Sequence, residues 1–384
     1  MWDAAILARI GAASILLRAK TRMRTVYRAN IMINVRQARR LALQYGWNAT
    51  AYQIVNRGIE HWFSARGDAV VGYVLKNRTF VVAGAPICAL ERLDEVLAEW
   101  ENFVARRGCG VCYFGAAGRL HTTLQSNIEY STVVLGAQPV WHPAQWDDVV
   151  QGHASLRAQI NRARNKGVSV IEWPASQASG HAQLKRCLRQ WLRTRGMRSL
   201  HFLVEPQTLM NLEGRRIFVA QKNGSVVGFL NLAPIPRRQG WLTEQFVRGK
   251  GAPNGTIELL MDAAMRAVAA DGAQYFTMGL VPLSNHNTLP KDPNPLWLRL
   301  LISWVRAHGC RFYNFGGLDN FKSKFRPHAW EPIYAIAKEP QFSPRSLYAI
   351  AAAFSGQAPP LALFHGALQA AAQESRWMIE RAKK

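Results

Sequence analysis

The stretch 241-WLTEQFVRGKGAPNGTIELLMDAAM-265 decides the fold. Residues 241–248 read as a strand, and Gly249, Gly251 and Gly255 mark a turn. A helix with apolar periodicity starts between Asn254 and Thr256 and ends at Gly272. The next apolar run, YFTMGL at 275–280, is a second strand, so the unit is α/β. The first amides of such a helix have no intrahelical partner, which makes the turn a natural place for phosphate.

Working outward, RIFVAQ (216–221) and VVGFLNLAP (226–234) flank Asn223-Gly224, a hairpin turn signal. Downstream, PLWLRLLISWVRAH (295–308) reads as a helix, RFYNFGG (311–317) as a strand and WEPIYAIA (330–337) as the last strand. The first half follows the same plan. AVVGYVLK (69–76) and TFVVAGAP (79–86) form a hairpin across Asn77-Arg78, residues 89–107 a helix, and VCYF (111–114) and STVVLGAQPVW (131–141) strands. RRGCGVCYFG, ADGAQYFTMG and AHGCRFYNFG each leave a helix through one Gly and end an aromatic strand on another. Those pairs are Gly108/Gly115, Gly272/Gly279 and Gly309/Gly316. The repeat predicts two copies of one mixed-sheet α/β fold. The divisions are a basic amphipathic segment over 1–45, a first domain over 46–150, a linker helix with a second, catalytic domain over 151–340, and an Ala-rich helical tail over 341–384.

Charge is the strongest compositional signal. The 384 residues hold 48 Lys+Arg against 24 Asp+Glu, a formal net charge of +24. Residues 1–40 carry nine Lys/Arg and one acid, Asp3, and 155–198 carry ten and one acid, Glu172. Such clustering points to polyanionic partners, nucleic acid or an anionic membrane surface. The helix from His153 to Lys166 presents Arg157, Arg162, Arg164 and Lys166 as a basic face suited to phosphates, or simply to solvent. No run of about twenty apolar residues exists, so no bilayer-spanning helix is expected. Five cysteines without a ligand pattern argue against a zinc site and for a reducing compartment, so no metal is expected.

Three groups of residues can carry chemistry. Strand alternation places Glu244 and Arg248 on one face, where Glu244 could orient a hydroxyl or an ammonium group. The alternative is a salt bridge between Glu244 and a neighbouring Arg. Glu258 lies in the first helical turn, as a catalytic acid or as a surface acid favoured by the helix dipole. Arg248, Asn254, Gly255 and Thr256 would hold phosphate. Lys322, Lys324 and Arg326 interleave with Phe321, Phe325 and Trp330, a pattern for phosphates with bases or headgroups, or for an amphipathic helix with snorkelling lysines.

Four stretches carry a family resemblance: LRAQINRARNKGV (156–168), APNGTIELLMDAA (252–264) with YFTMGLVPLS (275–284), FYNFGGLDNFKSKF (312–325) and RPHAWEPIYAIA (326–337). The chain resembles the catalytic region of the aminoacyl-phosphatidylglycerol synthases, lysyl- and alanyl-transferases built from tandem GNAT domains. The resemblance covers roughly residues 68–340. It implies a tandem GNAT-like fold and transfer of an amino acid from aminoacyl-tRNA to the glycerol hydroxyl of phosphatidylglycerol. It implies no cofactor beyond that co-substrate, and a place at the cytoplasmic face of the cell membrane. It matches Pro253, Asn254 and Gly255 to the family's loop and Glu258 to its acid. It matches Phe315, Gly317, Lys322, Lys324, Trp330 and Glu331, with Asn314 beside them, to its substrate-binding motifs. The family's D-L-M-R before the loop is altered: Glu244 takes the acid position, Val247 the Arg position, and Arg248 follows one residue late. Asp319 and Ile333 stand where Arg is usual. The turn Arg248–Pro253 is also similar to the acyl-CoA pyrophosphate loop of GNAT enzymes until Pro253. Acyl-CoA-dependent N-acyl transfer is therefore an alternative, and a non-catalytic membrane- or RNA-binding module is another.

Overall fold

The structure, a computed structural model, describes residues 32–194, 201–284, 286, 295–300 and 315–355. The first half holds α1 (32–45), β1 (Glu60–Phe63), β2 (Val70–Lys76), β3 (Thr79–Ala83), α2 (Leu93–Ala105), β4 (Gly110–Ala116), α3 (Gly118–Leu124) and β5 (Ser131–Trp141). Two helices, α4 (Trp146–Gly152) and α5 (Ala154–Asn165), lead to the second half. There follow β6 (Val168–Trp173), α6 (Ala175–Ala178), α7 (Ala182–Arg193), β7 (Arg216–Lys222), β8 (Ser225–Ile235), β9 (Gly240–Arg248), α8 (Thr256–Ala270), β10 (Tyr275–Thr277) and β11 (Val281–Pro282). Last come α9 (296–300), α10 (Phe315–Ser323), β12 (Ala329–Ala337) and α11 (Pro344–Ser355).

The expected repeat is visible in the pairing. In each half an antiparallel hairpin leads through a helix to a parallel strand: β2-β3-α2-β4 in the first, β8-β9-α8-β10 in the second. Asn77-Arg78 and Asn223-Gly224 all have positive φ, the type of tight turn their sequence predicts. Gly108, Gly115, Gly272 and Gly279 also have positive φ, between 61° and 79°.

The two halves share one sheet in the order β1-β2-β3-β4-β12-β5-β10-β9-β8-β7-β6, with β11 on β5. They exchange their closing strands. β12, from the end of the second half, lies between β4 and β5, while β5 pairs with β10 at Trp141 and Val140. The boundary at 150/151 is therefore a division of the chain and not of the sheet. The strongly apolar faces of the strands are covered on both sides. Trp100, with Phe80 and Tyr113, centres the core under α2, and Leu260 and Met265 of α8 pack over β8 and β10.

One predicted strand ends on residues that are helical. Residues 311–317 read as a strand, but 315–317 lie in α10, and 311–314 lie outside the described residues. Gly316 accordingly does not share the positive φ of the other strand-end glycines. Gly316-Gly317 disfavours helix locally; the tertiary anchors of Phe321, Lys322 and Phe325 override it. Residues 1–31 of the basic segment and 356–384 of the tail also lie outside the described residues, and 32–45 and 344–355 are helical.

Candidate functional site

In the second half β9 and β10 pair in parallel only from Gly240↔Tyr275 to Leu242↔Thr277 and then part. Beyond that point, among the described residues, β9 pairs with β8 alone, leaving a wedge of strand edge able to take an extended polar group. The segment after β10 is fixed by α10. Lys322, 3% exposed, donates from Nζ to the carbonyls of Met278 (2.6 Å), Gly279 (2.9 Å) and Leu280 (3.1 Å). Its three donors meet three acceptors. Burial pushes this amine down to about 7, while Asp319 acts to hold it up. Phe321 stacks on Phe246 of β9 with centroids 5.2 Å apart. Lys324 lies 2.5 Å from Glu258 and over the ring of Phe321. The helix carrying FKSKF thus binds β9, β10 and α8 at the mouth of the wedge.

Glu244 and Arg248 do not share a face. The β8–β9 register passes from Leu232↔Thr243 to Asn231↔Gln245, so Glu244 is the extra residue of a β-bulge. The bulge reverses the alternation. Thr243 reaches Met261 of α8, Gln245 bonds Thr208 on the other side, and Phe246 returns to the α8 side. Glu244 is held by Arg215 through Nε–Oε2 at 2.6 Å and Nη2–Oε1 at 2.9 Å, with side chains 0% and 3% exposed. Arg215 also donates to Asn56 Oδ1 and the Asn211 carbonyl, and Asn231 donates to Glu244. The salt-bridge alternative describes this carboxylate, which is sealed in a packed network.

The turn after β9 is self-filled. Arg248 donates to the Ala252 carbonyl (3.0 Å) and Asn254 Oδ1 (2.7 Å). Gly255, at φ 91°, lies against α5 so closely that a Cβ would sit 1.9 Å from the Gln159 carbonyl oxygen. Thr256 is 0% exposed and bonds back to Pro253. Gly255 is therefore covered by α5 and Thr256 is buried, so neither presents an open phosphate cradle; Arg248 and Asn254 remain at the surface.

The other expected residues separate into two places. Arg162 of α5 and Lys166 just after it are exposed, Arg164 pairs with buried Asp262 at 2.7 Å, and Arg157 turns back to the Val150 and Gln151 carbonyls. At the junction of the halves, Glu331 of β12 accepts from Arg238 (2.8 and 2.5 Å), Tyr275 (3.0 Å) and Gln138 (3.0 Å). Burial would raise the Glu331 carboxyl, but Arg238 and the other donors hold it below its ordinary value. Trp330 stacks on His286 at 4.1 Å, and Arg326 is exposed at φ 52°. Gly317 lies in α10, as does Phe315, and Asn314 lies outside the described residues. The sequence reading missed Arg215, Arg238, Tyr275 and Gln138. Gln138 carried a usable signal: a polar residue in the otherwise apolar run of β5 needs a buried partner.

No described helix is long and apolar enough to cross a membrane, and no group of His, Cys, Asp and Glu among the described residues could hold a metal ion. No curated protein sequence matches the chain. Among solved structures, the C-terminal domain of a putative lysylphosphatidylglycerol synthetase from Agrobacterium fabrum superposes with a TM-score of 0.71 at 21% identity, covering 85% of this chain and 98% of that one. L-PGS from Bacillus licheniformis gives 0.67 at 21% identity, covering 87% and 95%. FemX gives 0.53 at 8% identity, covering 82% and 98%. These likenesses show the fold. The family model described as phosphatidylglycerol lysyltransferase, C-terminal, matches residues 39–337, which takes in both halves and the exchanged strand β12. The chain belongs to this phosphatidylglycerol lysyltransferase C-terminal family, a family of acyltransferase enzymes with a tandem GNAT-like fold.

Proposed function

We propose that the protein transfers an aminoacyl group from aminoacyl-tRNA to the hydroxyl of an anionic membrane lipid of the phosphatidylglycerol class. The observation that carries this reading is the seat of α10. The most family-specific segment of the chain lies at the mouth of the β9–β10 wedge, tied by Lys322 to the backbone that follows β10. In the reaction the lipid hydroxyl oxygen attacks the ester carbonyl carbon. A new carbon–oxygen bond forms, the bond to the tRNA terminal ribose breaks, and the hydroxyl proton passes to the departing ribose oxygen. One ester replaces another, so the work lies in positioning two polyanions and stabilising the oxyanion. Lys322 acts as a positioning residue for the wedge. The exposed Arg162, Lys166 and Arg326 suit phosphate contacts. The protein works at the cytoplasmic face of the membrane, and its attraction weakens as salt screens the charge.

Glu244 has no part in proton transfer in this reading, because both its oxygens are committed to Arg215. The acyl-CoA alternative is disfavoured by the turn after β9, where Arg248 fills the loop and α5 covers Gly255. Mass spectrometry of lipid extracts from cells with and without the protein tests the proposal. A lipid heavier by one aminoacyl group, present only with the protein, supports it. An unchanged lipid profile together with CoA binding replaces it with the acyl-CoA reading.

A further inference from the structure

Side-chain alternation along the strands of the second half sorts the helices onto opposite faces of the sheet. Phe218, Ala220 and Leu230 pack with α5 and α8, whereas Ile217, Val219, Phe229 and Val247 pack with Leu184, Cys187 and Leu188 of α7. α7 therefore lies on the face opposite α5. The segment 202–212 joins α7 there. Leu209 and Leu212 belong to the same cluster, Thr208 donates to Gln245 of β9 (2.5 Å), and Gln245 donates to the Pro206 carbonyl (3.3 Å). Gln245 lies beyond Leu242, on the stretch of β9 that borders the wedge.

α7 turns a basic face outward. Residues 182–193 hold Lys185, Arg186, Arg189 and Arg193 and no acid. All four are exposed, and among the described residues none is in an ion pair. The helical period gathers them on the side away from Leu184, Cys187 and Leu188. On the same side of the sheet, large aliphatic side chains are left in solvent: Met210 is 76% exposed, Ile171 52% and Val204 50%. Ile171 pairs with Val219, which fixes its direction toward the α7 side. Glu213, exposed near Met210, is paired with Arg39 of α1 at 2.6 Å. The opposite side differs, because α4, α5 and α8 expose no large hydrophobic side chain. Unpaired cations beside exposed aliphatic groups match the interface of an anionic bilayer, where the cations meet headgroups and the aliphatic groups reach the acyl boundary. An RNA backbone would engage the cations and leave the aliphatic groups without a use.

We propose that the surface formed by α7 and the segment 202–212 docks on an anionic membrane leaflet, with Lys185, Arg186, Arg189 and Arg193 on headgroup phosphates and Val204 and Met210 entering the interface. The assignment rests on the lipid-transfer reading for why the protein meets a membrane; the surface itself requires only an anionic bilayer. A leaflet held here borders the stretch of β9 that edges the wedge, since residues 206–208 are bonded to it. The basic residues at α5 lie across the sheet, so the lipid and the tRNA approach the wedge from opposite faces.

The test uses the full chain and co-sedimentation with vesicles of phosphatidylcholine alone or mixed with phosphatidylglycerol. Lys185→Glu/Arg189→Glu and Val204→Gln/Met210→Gln alter exposed residues of the proposed surface. Arg162→Glu/Lys166→Glu makes the same change of net charge on the opposite face. The expected result is that wild type and the Arg162/Lys166 variant bind the phosphatidylglycerol vesicles alike. The Lys185/Arg189 variant should bind them about tenfold or more weakly, and the Val204/Met210 variant severalfold more weakly. Equal weakening in the two charge-reversed variants would mean that binding follows net charge alone, and would overturn the surface. Vesicle binding absent in wild type, or unchanged in the Lys185/Arg189 variant, would do the same, as would loss of tRNA binding in that variant with vesicle binding kept. Transfer to phosphatidylglycerol dispersed in detergent separates this proposal from the transferase reading. Active transfer with equal vesicle binding in all variants sinks the surface and leaves the transferase. Vesicle binding that depends on α7, with no transfer by wild type, sinks the transferase and leaves the surface.

Discussion

Replacing Glu244 by Gln separates a structural from a catalytic carboxylate. The Arg215–Glu244 pair is bidentate at 2.6 and 2.9 Å, with side chains 0% and 3% exposed. Glu244→Gln keeps the size and one acceptor but leaves the Arg215 charge buried without a counter-charge. Breaking one side of a buried pair costs about 3–5 kcal/mol. Asn56 and the Asn211 carbonyl still accept from Arg215, which favours the lower end of that range. At roughly 2 °C per kcal/mol for a long chain, the melting temperature should fall by about 6–10 °C. The double variant Arg215→Met/Glu244→Gln removes the stranded charge and should recover part of the loss. Thermal melts of the wild type, both single variants and the double variant give the coupling directly. An unchanged melting temperature in Glu244→Gln combined with lost transfer would refute the structural assignment and return this residue to the chemistry.

Lys322→Met should change the pH dependence of stability. The folded amine sits at about 7 against an unfolded value near 10.5, so between those values the unfolded chain binds more protons and stability rises with pH, by up to about 1.4 kcal/mol per pH unit; urea titrations from pH 7 to 9 should show that slope in wild type and not in the variant. Gly255→Ala should lose at least about 2 kcal/mol in the same titrations, because φ is 91° and the new Cβ would meet the Gln159 carbonyl oxygen at 1.9 Å. Arg162→Glu/Lys166→Glu should weaken tRNA binding about tenfold or more and reduce its logarithmic salt slope by roughly 2, read by filter binding at several salt concentrations; an unchanged slope would remove α5 from the tRNA surface.

The repeat was legible because it is written locally. Asn-Gly and Asn-Arg turns, Gly caps and apolar periodicity fix each hairpin, helix and strand within a few residues, and β5 and α8 stand where their patterns place them. What escaped is long-range. Nothing in WEPIYAIA says that β12 will insert between β4 and β5, because both exchanged positions accept an apolar strand. The bulge at Glu244 escaped for a related reason. Its cause is the partner set of Arg215, Asn56 and Asn231, the nearest of them 13 residues away in sequence, and one extra residue was enough to turn Glu244 away from Arg248. Lys322 and Lys324 were placed in the site by their spacing among aromatics, yet their roles differ: one is buried on three carbonyls and the other pairs with Glu258.

Transfer by the purified chain bears most directly on the proposed function. Radiolabelled aminoacyl-tRNA is mixed with vesicles containing phosphatidylglycerol or only zwitterionic lipid, and label is followed into the organic phase. The expected result is label in the lipid fraction that requires the protein, the phosphatidylglycerol and the intact aminoacyl ester, and that falls as salt is raised. Label that stays with the tRNA or is released only as free amino acid, at low salt and with protein shown to be folded, would contradict the account.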